Sequence, residues 1–105
     1  PWQVAGWSRT ALNPFAELAD SLLQELQAKF PLRVSPQLRW KKLRVSAGNA
    51  CTRHYRITLS SLVLTTPEAV RDTLIHEYAH LLAVDRFGKE AANHGQYWQQ
   101  AMRDL

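Results

Sequence analysis

Residues 74–82 read Leu-Ile-His-Glu-Tyr-Ala-His-Leu-Leu, and the rest of the chain is best interpreted outward from this stretch. His76 and His80 are four residues apart, so on a helix their imidazoles lie one turn above each other and can bind the same ion. Glu77 projects beside them without being a ligand. This H-E-x-x-H pattern predicts a zinc site in which the metal lowers the pKa of a bound water to about 7 and Glu77 accepts its proton.

A catalytic zinc site needs a third protein ligand and a fourth position open to water. Thirteen residues separate His80 from His94, and Gly88 between them suggests a loop that lets the chain double back. His94 is therefore the first candidate for the third ligand. Glu90 is the rival, as the carboxylate ligand of a gluzincin-type site, and Asp85 is a further candidate.

The size and composition of the chain predict a single domain. At 105 residues and 12.0 kDa, with 46% hydrophobic residues, it has enough apolar side chains for one core and not for two. We expect residues 13–105 to form that domain. Because position 1 holds Pro rather than Met, residues 1–12 are interpreted as an N-terminal extension or a trimmed segment. No apolar run approaches the length of a membrane span, so we expect no membrane partner, and we expect a monomer.

Cys51 is the single cysteine of the chain. A single cysteine excludes an intrachain disulfide and fits a reducing compartment. We therefore expect a cytoplasmic protein, associated with the nucleoid in a bacterium or located in the nucleus of a eukaryote. Most single cysteines are packing side chains. The alternative interpretation of Cys51 is a regulatory fourth ligand to zinc.

The net charge of +4 conceals a basic stretch in the middle of the chain. From Leu26 to Pro67 there are eight Lys or Arg residues and no Asp or Glu, with aromatic side chains interleaved. Such a mixture suits a polyanion with stacking bases, and the alternative is a solvated strand face that keeps the domain soluble. The candidate nucleic-acid contacts are Lys41, Lys42, Arg44, Arg53 and Arg56.

Hydrophobic periodicity predicts two helices besides the zinc helix. Asn13 followed by Pro14 predicts a helix start, and a repeat of three and four residues extends to about Phe30, making one apolar stripe to cover a sheet. A last helix from about Gly95 to Leu105 is expected to bury Trp98 and Met102. The stripe of the first helix consists of Phe15, Leu18, Ala19, Leu22, Leu23 and Leu26.

Between these helices the pattern changes to strands and then to the zinc helix. From Leu32 to Ser60 the period of two predicts three or four short strands, with a bulge or bend at residues 41–42 and a turn at residues 47–49. Residues 65–68 read Thr-Thr-Pro-Glu, which predicts a capped start for a helix that extends to about Val84. One face of this helix should enter the core and the opposite face should present the histidines. The predicted core face comprises Val70, Leu74, Tyr78 and Leu81, extended by Ile75 and Leu82.

These elements together resemble the SprT-like family of zinc metallopeptidases, which includes the Spartan proteases. The resemblance extends from Trp40 through residues 47–48, the strand around residues 56–59 and the helix 74–82 to a closing block, His-Gly-Gln-Tyr-Trp at residues 94–98, followed by Met102. In this family the His of such a His-Gly pair completes the zinc set. The resemblance therefore favours His94 over Glu90.

The resemblance implies an α+β, zincin-like fold in which an N-terminal helix and a small sheet of three or four strands pack on the central H-E-x-x-H helix, with a C-terminal helix. It implies one Zn²⁺ held by His76, His80 and His94, with Glu77 catalytic. It further implies a protein or peptide substrate that could pair with an edge strand. Eukaryotic members of the family cut proteins crosslinked to DNA, which gives the basic stretch a candidate purpose.

Two functions follow as hypotheses. The first is a zinc-dependent endopeptidase that hydrolyses peptide bonds in proteins, including DNA-associated or DNA-crosslinked ones. Its oxyanion donor could be Tyr97, Tyr55 or His54. The second is a non-catalytic, zinc-stabilised module that binds nucleic acid. Structural zinc sites are closed by four protein ligands, whereas three histidines and an unused glutamate leave a position open, which favours the first hypothesis.

Overall fold

The computed structural model describes residues 14–88 and 95–105. They form an α+β domain in which a small sheet and two further helices surround one long helix, so the predicted fold class is confirmed. The predicted single domain also contains residues outside this part. In chain order the elements are α1 (Ala16–Lys29), β1 (Gln37–Lys41), β2 (Gly48–Cys51), β3 (Arg56–Ser60), α2 (Pro67–Phe87) and α3 (Gln96–Asp104).

The sheet has the order β1-β3-β2, with β3 parallel to β1 and antiparallel to β2. The predicted turn at residues 47–49 is wrong, because Gly48 opposes Leu59 as the first residue of β2. A Cβ at Gly48 would lie 2.6 Å from the carbonyl oxygen of Thr58, so this glycine permits a close strand approach. The chain turns instead at residues 52–55, where Tyr55 adopts a φ of 50°.

The predicted bend after β1 is present, but no strand follows it directly. The chain leaves the sheet after Lys41, and residues 42–47 form a loop in which Val45 is 99% exposed. This loop is tied to the end of β3, because the buried Ser60 donates its hydroxyl to the carbonyl of Leu43 at 2.7 Å. A parallel β1–β3 pair requires a crossover connection, which explains why the chain departs from the sheet here.

Both faces of β3 are covered. Ile57 and Leu59 are fully buried, and Thr58 and Ser60 on the opposite face are buried too. The apolar/polar alternation that identified this strand therefore does not correspond to alternating exposure. Ser60 meets the hydrogen-bonding requirement of burial by also accepting from the backbone N–H groups of Leu62 and Val63.

Helix α1 begins later than predicted and packs against α2. Its first residue is Ala16 and Phe15 precedes it without a side-chain cap, while Pro14 lies in the preceding turn and the predicted cap, Asn13, lies outside the described residues. The apolar stripe meets α2 more than the sheet it was expected to cover. At the end of α1, the hydroxyl of Tyr78 donates to the carbonyl of Phe30, which joins the two helices.

Helix α2 has the predicted start and a longer course. Thr66 is the N-cap, its hydroxyl accepting from the N–H of Ala69 at 3.1 Å, and Pro67 occupies the first helical position. The helix passes the predicted end at Val84 and reaches Phe87, where Gly88 terminates it with a φ of 89°. The predicted core residues that are buried are Val70, Leu74, Tyr78, Leu81 and Leu82.

Helix α3 lies against α2 and closes one side of the domain. Its fully buried residue is Ala101, whereas Trp98 and Met102 are only half-buried, so the predicted burial is wrong in detail. An ion pair of 2.7 Å between Arg86 and Asp104 joins the ends of the two helices. In the described part of the chain, no helix combines the length and apolar character needed to cross a membrane.

Candidate metal centre

The middle of α2 brings His76, Glu77 and His80 together. One nitrogen from each imidazole and one carboxylate oxygen all lie within 4.8 Å of one another. The cause is local, since the capped helix continues without Gly or Pro from residue 68 to residue 87 and places residues four apart on one side. Imidazole nitrogens are typical zinc ligands, so His76 and His80 fit the ion that the sequence pattern predicts, with the carboxyl group of Glu77 beside them.

A cleft of about 400 Å³ opens beside this group. One wall is α2, which contributes the three donor residues, and the other is β2 and the start of the following turn, with Thr52. Strand β2 bonds to β3 along one edge, and its other edge has no strand partner among the described residues. Gly48 keeps this wall close to the helix, because a Cβ there would lie 3.1 Å from Thr73 of α2.

Burial raises the pKa of Glu77 from 4.5 to about 7. Its side chain is only 7% exposed, and no described residue forms an ion pair with it. A carboxyl group with a pKa near neutrality is matched to proton transfer at physiological pH. A bound cation beside it would favour the charged form and lower this pKa, which couples metal binding to proton release.

Trp98 of α3 lies against the two histidines of the same group. Its ring centroid lies 4.9 Å from that of His76 and 5.7 Å from that of His80. The two imidazoles are themselves 5.2 Å apart in an edge-to-face arrangement. The sequence pattern predicts only a packing role for Trp98, because the angle at which α3 meets α2 is not encoded locally.

The structure describes two of the four residues considered as further zinc ligands, and neither of them lies in the group of His76, Glu77 and His80. His94 and Glu90 lie outside the described residues. Asp85 is engaged elsewhere, accepting from the hydroxyl of Tyr55 at 2.7 Å and from the backbone N–H of Arg33 at 3.3 Å. Cys51 is half-buried in β2 and does not join the donor group.

None of the three proposed oxyanion donors lines the described cleft. The hydroxyl of Tyr55 is bound to Asp85, which raises the pKa of the tyrosine. Tyr97 stacks on Phe87 with ring centroids 4.6 Å apart, and His54 is exposed in the turn. The residue with a hydroxyl at the cleft is Thr52, which sequence reasoning overlooked because the position of the turn was misplaced.

The predicted nucleic-acid contacts lie in β1, in β3 and in the connections that follow β1 and β2. Lys41 of β1 pairs with Ser60, two positions beyond the Arg39–Thr58 pair, so its side chain shares a face with these residues and with Arg56. Arg56 itself is half-buried. The remaining contacts are exposed, Lys42 and Arg44 in the loop after β1 and Arg53 in the turn after β2.

Comparisons with known proteins agree on one family. The profile of the SprT-like family matches residues 15–105. The chain is 37% identical to the germ cell nuclear acidic-1 protein of Caenorhabditis elegans, over 79% of this chain and 16% of that protein. It is 36% identical to protein SprT of Escherichia coli K12, over 67% of this chain and 43% of that protein. The chain thus spans less than half the length of these relatives.

The fold is also similar to that of a solved structure. The crystal structure of the metallopeptidase zymogen of Pyrococcus abyssi abylysin superimposes with a TM-score of 0.66, at 24% sequence identity. The match covers 83% of this chain and 78% of the abylysin chain. At this identity the likeness concerns the fold, in which a small sheet lies beside a long helix.

Proposed function

This chain belongs to the SprT-like family, and from that premise we propose that it is a zinc-dependent endopeptidase that hydrolyses peptide bonds in protein substrates. The observation that carries the proposal is the group of His76, Glu77 and His80 on one wall of an open cleft, facing a strand whose outer edge has no strand partner in the described part of the chain. Two potential ligands, a carboxyl group that titrates near neutrality and room for an extended peptide are the parts that metal-assisted hydrolysis requires.

His76 and His80 would hold the zinc ion, with His94 proposed as the third ligand from the sequence. When bound, zinc would polarise the scissile carbonyl and lower the pKa of a water molecule, so that the water can lose a proton and attack the carbonyl carbon. Glu77 accepts the proton of that water and then donates it to the leaving amine. Its position one residue after His76 keeps the carboxyl group inside the cleft, and its exposed fraction of 7% limits competition from bulk water.

The substrate would lie extended along the edge of β2 that has no strand partner within residues 14–88 and 95–105. Backbone groups of an edge strand can pair with an extended peptide, which gives affinity without sequence selectivity. The wall of the cleft opposite the helix has small side chains at Gly48 and Ala50, which leave room for a peptide. Its other side chains, Asn49 and Thr52, are polar and uncharged. A protein segment that can become extended is therefore a better substrate than a folded domain.

The test of the proposed activity compares the Glu77→Gln variant with the wild type. Gln has nearly the same shape but cannot accept the proton, so we expect one zinc ion per chain in both proteins and loss of casein cleavage in the variant. Glu17→Gln is the matched control, because Glu17 is exposed on α1. Equal turnover by the wild type and Glu77→Gln would remove Glu77 from the mechanism.

We further propose that nucleic acid binds the basic face of the sheet and its loops, and that DNA-associated or DNA-crosslinked proteins are among the substrates. The supporting observation is the exposure of Lys41, Lys42 and Arg44 in a region without acidic residues. The same surface would serve the second candidate function, a zinc-stabilised nucleic-acid-binding module without hydrolysis. Cleavage of casein by the wild type in the absence of DNA would exclude that second function.

The nucleic-acid proposal is tested by replacing Lys41, Lys42 and Arg44 together with Gln. Each lost phosphate contact removes about one unit from the slope of log affinity against log salt concentration, so the slope should fall by about two to three. The control replaces Lys29, Arg71 and Arg103, which are exposed on the three helices and change the net charge equally. An unchanged slope in the first variant would show that its three cations are solvated and do not contact phosphate.

A further inference from the structure

The strongest unassigned feature is the way α3 meets the donor group. Trp98 contacts both histidines, with ring centroids 4.9 Å and 5.7 Å away, at interplanar angles of 60° and 33°. Its indole N–H also donates to the backbone carbonyl of His76 at 3.3 Å. One side chain from a different helix therefore touches the rings of both candidate ligands and the backbone of one.

Imidazole rings need such restraint to be good ligands. The χ2 torsion of histidine is broad, so an unrestrained ring points its nitrogen atoms in many directions. His76 is only half-buried, so burial alone does not fix its ring plane. An indole at contact distance from both rings excludes the rotations that would move them toward it, since close-packed groups have no room to turn.

The indole is itself held in register with the helix. Its N–H bond to the carbonyl of His76 fixes the height of the ring along α2, at the level of the first histidine. One turn later in α3, Ala101 is fully buried and lets the two helices approach closely. The ring cannot slide along α2 without breaking the bond or separating the helices.

From this geometry we propose that Trp98 is a positioning residue, which holds the imidazoles of His76 and His80 in the orientation that binds zinc. The proposal rests on the proposed function, because it assumes that these histidines are the ligands. It differs from ordinary packing in its consequence. A packing residue affects the free energy of unfolding, whereas a positioning residue also affects the zinc affinity of molecules that remain folded.

The experiment uses Trp98→Leu and Trp98→Phe, with Trp40→Phe as the matched control in β1. Zinc affinity is measured by competition with a chromophoric chelator, and the visible absorption of the Co²⁺-substituted protein reports ligand geometry. Far-UV circular dichroism shows that each variant is folded at the temperature of the titration. Substitution of a residue that orients metal ligands without binding the metal typically lowers metal affinity by about 10- to 100-fold.

We expect Trp98→Leu to bind zinc about 10- to 100-fold more weakly with an altered Co²⁺ spectrum, and Trp98→Phe to fall between it and the wild type. Trp98→Phe keeps an aromatic ring but loses the N–H donor, so it also serves if the leucine variant does not fold. Wild-type zinc affinity and an unchanged Co²⁺ spectrum in the folded variants would overturn the proposal while leaving the peptidase function intact. Absence of zinc binding by the wild type would overturn both.

Discussion

The raised pKa of Glu77 predicts how the stability of the zinc-free protein depends on pH. The folded state keeps a proton on this carboxyl group up to about pH 7, whereas the unfolded chain loses it near pH 4.5. Between these values the folded state binds more protons, so its free energy of unfolding falls as the pH rises. Above pH 7 the charged carboxylate is buried without a described cation, and the full penalty is present.

The magnitude follows from the shift itself. A pKa raised from 4.5 to about 7 corresponds to at most about 3 kcal/mol at high pH, since one pKa unit is about 1.4 kcal/mol. Glu77→Gln has no group to titrate at this position. The free energy of unfolding of the wild type minus that of the variant should therefore fall by about 2 to 3 kcal/mol between pH 5 and pH 8.

The assay is urea denaturation of both proteins in a chelator, followed by tryptophan fluorescence at pH 5, 6, 7 and 8. Subtracting the variant removes the titration of groups that both proteins share. Zinc should reverse the trend in the wild type, because the ion stabilises the carboxylate and binds only the folded state. A difference that stays constant from pH 5 to pH 8 would refute the reasoning, since Glu77 would then have an ordinary pKa.

Two further substitutions test the contacts that hold the cleft wall. Tyr55→Phe removes the hydrogen bond of 2.7 Å to the carboxylate of Asp85. Urea denaturation should show a free energy of unfolding lower by about 1.5 to 3 kcal/mol, and a loss below about 0.5 kcal/mol would contradict a stabilising role for this bond. Gly48→Ala places a Cβ 2.6 Å from a backbone oxygen of β3, so we expect a loss of about 1 to 3 kcal/mol and a higher KM for casein. Unchanged stability and KM would show that β2 can shift without consequence.

The zinc helix could be predicted because its determinants are local. Thr66 and Pro67 set its start through groups within three residues, and the four-residue spacing of His76 and His80 fixes their common side. Its end was misplaced by three residues, because the apolar pattern fades before Gly88 supplies the left-handed conformation that stops it. Local chemistry thus sufficed for the element that carries the site.

The sheet was harder, because strand order depends on partners far apart in the sequence. The residues around Gly48 have the composition of a turn, but close approach to β3 and α2 makes Gly48 a strand residue. Alternation identified β3, yet both its faces are buried, because Ile57 and Leu59 enter the core and loop residues bond to Ser60 on the other face. Periodicity shows that a strand exists but does not determine which strands pair with it.

The sequence by itself determined the donor pair, the neighbouring acid and the helix that presents them, since each depends on spacings within one or two helical turns. Only the tertiary structure decided that Asp85 would hold Tyr55, that β2 would form the cleft wall, and that Trp98 would contact the histidines from 18 to 22 positions away. Those contacts depend on how helices and strands pack around one core, and packing is a property of the whole chain.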